Sequence, residues 1–137
     1  MILVDSSVWI DQFAGRDTQE TRCLERLLEI DQPIGIGDLV LAEVLQGTRD
    51  ERDFRDALTR FGRFQRVQIS DFVIAKEAAH RYQILRGRGV TIRKTIDTLL
   101  ATRCILDDIP LLYRDRDFDP FVMHLGLRSA LNFPGAS

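Results

Sequence analysis

Short apolar runs and longer amphipathic stretches alternate along the whole chain. Met1 to Val4 is apolar and is bounded by Asp5 and the polar pair Ser6-Ser7, which predicts a buried strand. From Asp17 to Glu29, Leu24, Leu27 and Leu28 recur at helical spacing beside Cys23, and Asp17 with Glu20 has the form of a capping box. Pro33 to Gly37 predicts a second strand. Asp38 is then expected to cap a helix, Leu39 to Gln46, that Gly47 ends. Asp50 to Phe61 predicts a helix whose interleaved Arg and acidic residues form a solvated face. Val67 and Ile69 alternate as a third strand before Ser70. A long helix follows, with Phe72, Ile74, Ala75, Ala78, Ala79, Tyr82 and Leu85 as its apolar positions, and Gly87 and Gly89 break it. Thr95 to Leu106 is helical in pattern and Ile109 to Tyr113 predicts a fourth strand. A brief helix near Phe121 then leads to a fifth strand over Leu127 to Leu131.

Strands separated by helices predict βαβ units, and therefore an α/β fold with a parallel sheet covered by helices on both faces. No internal repeat, linker or low-complexity tract interrupts the alternation, so residues 1–137 are expected to form a single domain. A chain of this size buries roughly two thirds of its unfolded surface and needs no staple to hold a core. Ligands of such folds bind beyond the carboxyl ends of the strands, where the strand order reverses. That directs attention to Asp5 and to the loop just after Tyr113.

Composition narrows the possibilities further. Cys23 and Cys104 lie inside helical patterns without CxxC spacing, as expected of core thiols in a reducing cytosol. No apolar run approaches the roughly 18 residues needed to cross a bilayer, and MILVD meets an acid too early for a secretory signal, so a cytoplasmic protein is expected. The 19 basic and 21 acidic residues nearly cancel. That balance argues against holding nucleic acid by bulk positive charge alone. Its distribution is uneven, however: Arg accounts for 17 of the basic residues, and Ala78 to Ile96 carries His80, Arg81, Arg86, Arg88, Arg93 and Lys94 with no acid.

Four acids stand in unusual surroundings. Asp5 ends the first strand and Asp115 follows the fourth, with Asp117 close behind it in Arg114-Asp115-Arg116-Asp117-Phe118-Asp119. Glu43 is embedded in Leu41-Ala42-Glu43-Val44-Leu45. Asp97, in Thr95-Ile96-Asp97-Thr98-Leu99-Leu100-Ala101, borders the apolar stripe of its helix. Taken singly, Asp5 reads equally as a helix cap and Asp117 as a turn residue, whereas the apolar flanks of Glu43 and Asp97 argue against their being mere surface partners for Arg. Only the positions together single out a site. Clustered carboxylates need a compensating cation, and hard oxygen ligands suit Mg²⁺ or Mn²⁺. Two such ions roughly 4 Å apart can activate a water and stabilise the leaving oxygen of a phosphodiester, which makes a metal-dependent nuclease the expected chemistry.

At this point the sequence resembles PIN-domain ribonucleases, specifically the VapC-like toxins of bacterial type II toxin–antitoxin pairs. The resemblance is carried by Ile2-Leu3-Val4-Asp5-Ser6-Ser7-Val8-Trp9-Ile10, Leu41 to Gly47, Thr95 to Ala101 and Leu111 to Phe118, which occur in the family's order across nearly the whole chain. It implies a PIN-like three-layer sandwich around a five-stranded parallel sheet of order 3-2-1-4-5. It also implies that Asp5, Glu43, Asp97 and Asp115 form a catalytic metal site with Asp117 as an accessory ligand. Ser7 matches the family's small hydroxyl and is expected to hold a water or a phosphate. The implied reaction is endonucleolytic cleavage of transfer or ribosomal RNA, leaving a 5′-phosphate and a 3′-hydroxyl, by a homodimer inhibited by a cognate antitoxin. Tyr113 departs from the family pattern, which often has Thr, Ser or His there.

Arg93, just before the Asp97 helix, is the preferred phosphate-binding candidate, whereas Arg86 and Arg88 fit a solvated surface. Arg60, Arg63 and Arg66 form a second basic patch. Gly35-Ile36-Gly37 and Gly87-Arg88-Gly89 lack the third glycine of a dinucleotide fingerprint, and no GxxxxGK, HExxH or GxSxG occurs. His80 and His124 have no partners at ligand spacing, and Trp9 is expected to pack the first crossover. A phosphotransfer receiver domain would need an Asp ending the third strand and a Lys after the last, and neither is present. The non-enzymatic alternative is a catalytically silent PIN-like module that binds RNA or protein. Loss of one of the four acids would have favoured it, and none is missing.

Overall fold

A computed structural model describes residues 1–133. The sheet has four parallel strands, β1 (Ile2–Val4), β2 (Ile34–Gly37), β3 (Gln65–Val67) and β4 (Leu111–Leu112), in the order β3-β2-β1-β4. Consecutive residues of β1, β2 and β4 are all buried. Because neighbouring side chains of a strand point to opposite faces, both faces of this sheet are covered. The edge strand β3 instead exposes Gln65 and Arg66 to water, which discourages pairing with another chain.

The helices are α1 (Ser6–Phe13), α2 (Gln19–Glu29), α3 (Asp38–Gln46), α4 (Glu51–Phe61), α5 (Phe72–Gly87), α6 (Thr95–Leu106) and α7 (Asp119–Leu125). They pack in two groups, α1 with α2 and α3, and α5 with α6 and α7. Trp9 is buried as expected, in an aromatic cluster with Phe13, Phe61 and Phe64 whose nearest pair is Trp9 edge-on to Phe61 at 5.1 Å. The guanidinium groups of Arg60 and Arg63 cover the rings of Phe13 and Phe64, so two members of that basic patch close the cluster. Both cysteines are buried free thiols. Among the described residues no helix is long and apolar enough to cross a membrane.

The expected fifth strand is not formed. Leu127 to Leu131 contributes one parallel bridge, Ser129 to Leu111, supported by the Leu111 N–H donating to the Arg128 carbonyl at 2.9 Å. Immediately afterwards the chain tightens into a 3₁₀ turn, Ala130–Asn132, capped by Ser129, so the pairing has no length to extend. The four strands that do form keep the expected order.

Smaller corrections have local causes. Helix α1, directly after Asp5, was expected only through the helix-cap alternative for Asp5, which the Ser7 N–H bond to its carboxylate realises. Thr18 caps α2, in a reciprocal pair with Thr21 in place of Asp17 with Glu20. Asp38 lies inside α3, where its Oδ1 accepts from the backbone N–H groups of Leu39 and Ile69, each at 2.9 Å. That second bond ends β3 at Val67: β2 has already turned into α3, so Ile69 finds a carboxylate where a strand partner would have been. Gly37 lets the Ile69 side chain pack directly on the backbone, since a Cβ there would lie 2.7 Å from it.

Candidate active site

Strand β1 ends where the chain must leave the sheet, and Asp5 stands at that exit. Its backbone N–H continues the ladder to the Leu112 carbonyl at 2.9 Å, which sets the end of β1 beside the end of β4. Its side chain caps α1, accepting from the Ser7 hydroxyl at 2.6 Å and the Ser7 backbone N–H at 3.2 Å. Helix α3 packs on α1 and brings Glu43 to the same edge, where Oε1 accepts from the Ser6 hydroxyl at 3.1 Å. Asp97 lies in the first turn of α6. Asp115 caps the 3₁₀ turn Arg116–Phe118 that follows β4, its Oδ1 accepting from the Asp117 backbone N–H at 2.9 Å.

These elements surround a cleft of about 800 Å³ lined by Asp5, Ser7, Glu43, Asp97 and Asp115, with Lys94, Arg16, Arg114 and Arg116 among the basic residues of its wall. Carboxylate oxygens of Asp97, Asp115 and Asp117 lie within 4.8 Å of one another. All four acids expected at the centre therefore share one cleft. Asp117 stands beside it, paired with Arg93 at 3.4 Å. Arg93 is outside the lining and highly exposed.

The electrostatics match the crowding. Asp97 is only 3% exposed, and its Oδ2 has no hydrogen-bond partner among the described residues. Burial first, and the negative charge of Asp5 second, push its carboxyl up to about 7, with Lys94 opposing. Asp5 is raised by burial and by Asp115, against the Ser7 hydrogen bonds that favour its ionised form. Glu43 is raised by burial and then by Asp5, while Ser6 and Lys94 pull it down. A buried carboxylate oxygen without a donor, facing further carboxylates, is a group that a cation would complete. The donor set is all oxygen, which fits a hard divalent ion.

Lys94 is the cation the sequence reading passed over in favour of Arg93. Its Nζ stands 3.8 Å from Asp115 Oδ2 and lowers both Glu43 and Asp97. The rest of the Arg-rich stretch is engaged elsewhere: Arg81 pairs with Glu77, Arg86 stacks on Tyr82, and Arg88 meets His124 at 3.0 Å. Tyr113 also turns to another task, donating to Asp119 at 2.8 Å. Asp11 was missed entirely, although it is almost fully buried and binds two arginines of the cleft wall. Its signal was present: Val8-Trp9-Ile10-Asp11-Gln12-Phe13 sets it among apolar neighbours, the kind of setting that drew attention to Glu43.

A parallel sheet of this order with an acidic cleft at the carboxyl edge of β1 and β4 defines a recognisable class. The PIN domain family model matches residues 2–121, and the chain belongs to that family. Within it, the chain is 26% identical to Ribonuclease VapC11 of Mycobacterium tuberculosis and to a VapC ribonuclease of Mycobacterium bovis, in each case over 95% of this chain and 98% of the relative. Two solved structures share the fold. A toxin–antitoxin complex from Klebsiella pneumoniae matches with a TM-score of 0.70 at 21% identity, covering 95% of this chain and 98% of that one. VapBC2 from Rickettsia felis, bound to a DNA fragment from its promoter, matches with a TM-score of 0.73 at 19% identity, covering 94% and 97%.

Proposed function

We propose that the chain is a VapC-like toxin, a metal-dependent endoribonuclease that cleaves folded RNA of the transfer or ribosomal type in the cytoplasm and is held inactive by a cognate antitoxin. One observation carries this reading: Asp5, Glu43, Asp97 and Asp115 line one cleft, and the buried Asp97 Oδ2 there has no partner among the described residues. The names of the curated relatives support ribonuclease activity, and the toxin–antitoxin complexes among the structural matches support the antitoxin.

In this proposal Asp5, Asp97 and Asp115 hold the metal, with Asp117 as an accessory. Divalent ions, Mg²⁺ foremost and Mn²⁺ as the alternative, supply when bound the Lewis acidity used in two-metal hydrolysis of a phosphodiester. Glu43 orients the attacking water and takes its proton, a task that a carboxyl raised by burial and by Asp5 performs better than an ordinary one. Ser6 fixes the Glu43 carboxylate, and Ser7 that of Asp5. Lys94 favours the ionised forms of Glu43 and Asp97 before the cation arrives. Residues 1–137 act as one domain, two copies associate as a homodimer, and the antitoxin places a basic side chain against the carboxylates.

The test is to incubate the purified chain with end-labelled transfer and ribosomal RNA, with Mg²⁺ or with EDTA, and to map the cut ends. Cleavage that needs Mg²⁺ and is lost in Asp5→Asn and Asp97→Asn is expected. RNA binding without metal-dependent cleavage would leave the silent binding module as the better reading.

A further inference from the structure

The most heavily compensated buried charge among the described residues lines the same cleft as the proposed metal-site acids and takes no part in the chemistry proposed above. Asp11, in the last turn of α1, has a side chain only 1% exposed. Its Oδ1 accepts from Arg16 at 2.8 Å and its Oδ2 from the Arg114 Nε at 2.5 Å. The carboxylate thus holds two guanidinium groups side by side, one on each oxygen. Both arginines line the cleft, and both remain open to water, 61% and 50% exposed.

We infer that Asp11 sets Arg16 and Arg114 as a paired clamp for the phosphate oxygens of RNA entering the cleft. This rests on the ribonuclease reading and names the groups that hold its substrate. A guanidinium offers five N–H donors, and among the described residues each of these two gives one to Asp11 and none to another side chain. The remaining donors can take phosphate oxygens in the fork geometry that Arg favours. One carboxylate and two guanidiniums leave a net positive charge on the wall of a cleft whose centre is acidic. An anionic chain passing the wall is attracted there before it meets the carboxylates.

The two arginines are also fixed in place before any ligand arrives, which lowers the entropy lost on binding. The Arg16 N–H donates to the Asp11 carbonyl at 2.9 Å, and the Thr21 hydroxyl donates to the Arg16 carbonyl at 3.0 Å. Arg114 directly precedes Asp115, so the chain that carries the clamp also carries the proposed metal ligand. Arg103, by contrast, is largely covered and spends its donors on Asp71, Asp107 and the Ile69 carbonyl. Asp11 is a positioning residue in this scheme, and the contact with RNA belongs to the arginines.

The experiment measures binding of a fluorescein-labelled single-stranded oligoribonucleotide by anisotropy across a KCl series, with EDTA present so that nothing is cut. Arg16→Gln and Arg114→Gln should each weaken binding about 3- to 10-fold and reduce the steepness of log Kd against log[KCl] by about 0.7, the share of one phosphate contact on a single strand. Arg16→Lys should restore the slope but only part of the affinity, because the charge returns without the fork. Asp11→Asn should weaken binding even though it adds positive charge, a sign opposite to bulk electrostatics. Thermal melting shows which variants are folded, and the Gln variants decide the matter if Asp11→Asn is not. Gln variants with unchanged affinity and slope, or a folded Asp11→Asn that binds RNA more tightly, would overturn the clamp. Wild-type protein that binds no oligoribonucleotide overturns it as well. Absence of Mg²⁺-dependent cleavage by the wild type refutes the ribonuclease reading itself, whereas wild-type cleavage with Gln variants that bind unchanged refutes the clamp alone.

Discussion

The hydroxyl and the backbone N–H of Ser7 both donate to one oxygen of Asp5, at 2.6 and 3.2 Å. Both bonds favour the ionised carboxylate and lock its orientation at the exit of β1, against a burial that favours the neutral acid. Groups that orient a metal ligand typically matter about 10- to 100-fold in metal affinity. Ser7→Ala is therefore expected to lower Mn²⁺ affinity by about 10-fold, measured by isothermal titration calorimetry, and Ser7→Thr to restore most of it. A folded Ser7→Ala variant with wild-type Mn²⁺ affinity would show that Ser7 only caps α1.

Asp97 makes the metal-free protein sensitive to pH. Its carboxyl stands at about 7 in the folded chain against 3.8 unfolded. Because the folded value is the higher one, the stabilisation is fully present below the unfolded value and is lost as pH rises through the folded one. Asp97→Asn cannot ionise, so in EDTA at pH 8 it should be more stable than wild type by on the order of 1 to 3 kcal/mol and melt at a higher temperature, with the difference vanishing near pH 4. Added Mg²⁺ should stabilise the wild type and leave Asp97→Asn largely unchanged. Parallel melting-temperature profiles for the two proteins from pH 4 to pH 8 would sink this account.

The central acids were legible in the sequence because each broke a local rule: Asp5 and Asp115 at strand ends, Glu43 and Asp97 against apolar stripes. Strand order was legible only through resemblance, since periodicity does not say which strands are neighbours. The fifth strand was over-read because Leu127 to Leu131 has the composition of a strand, whereas Ser129 supplies a cap and bends the chain. The preference for Arg93 over Lys94 rested on sequence adjacency alone. Both precede α6, and only their placement decides that one meets Asp117 outside the cleft and the other faces Asp115, Asp97 and Glu43 within it. The Asp11 ion pairs join residues 103 positions apart in one case, a separation no local pattern encodes.

Gly35 sets how closely β2 lies against its neighbours. A Cβ at this position would sit 2.8 Å from a Leu3 methyl, 2.9 Å from the Met1 sulfur and 2.9 Å from a Val67 methyl. Because β1 pairs directly with β2 here, with Leu3 opposite Gly35, the strain falls on the strand that leads into Asp5. Gly35→Ala is expected to destabilise the protein by about 1 to 3 kcal/mol, read as a lower urea midpoint with an unchanged slope. Equal midpoints would mean that the neighbouring side chains move aside at no cost.

Phe72 opens α5 with its ring almost wholly in water, 91% exposed, and Val73 beside it is 59% exposed. The helix start does not depend on either: Asp71 caps it by accepting from the Ile74 N–H at 2.8 Å and is itself paired with Arg103 at 3.0 Å. Phe72→Glu therefore removes apolar surface without touching a packed contact, and it places an acid where the helix N-terminus tolerates one. The stability of the isolated chain should change by no more than about 0.5 kcal/mol. If the proposed homodimer buries this face, sedimentation equilibrium will find the variant monomeric at concentrations where the wild type is dimeric. A variant that dimerises like the wild type places the interface on another surface, and a wild type that stays monomeric at high concentration removes the dimer from the proposal.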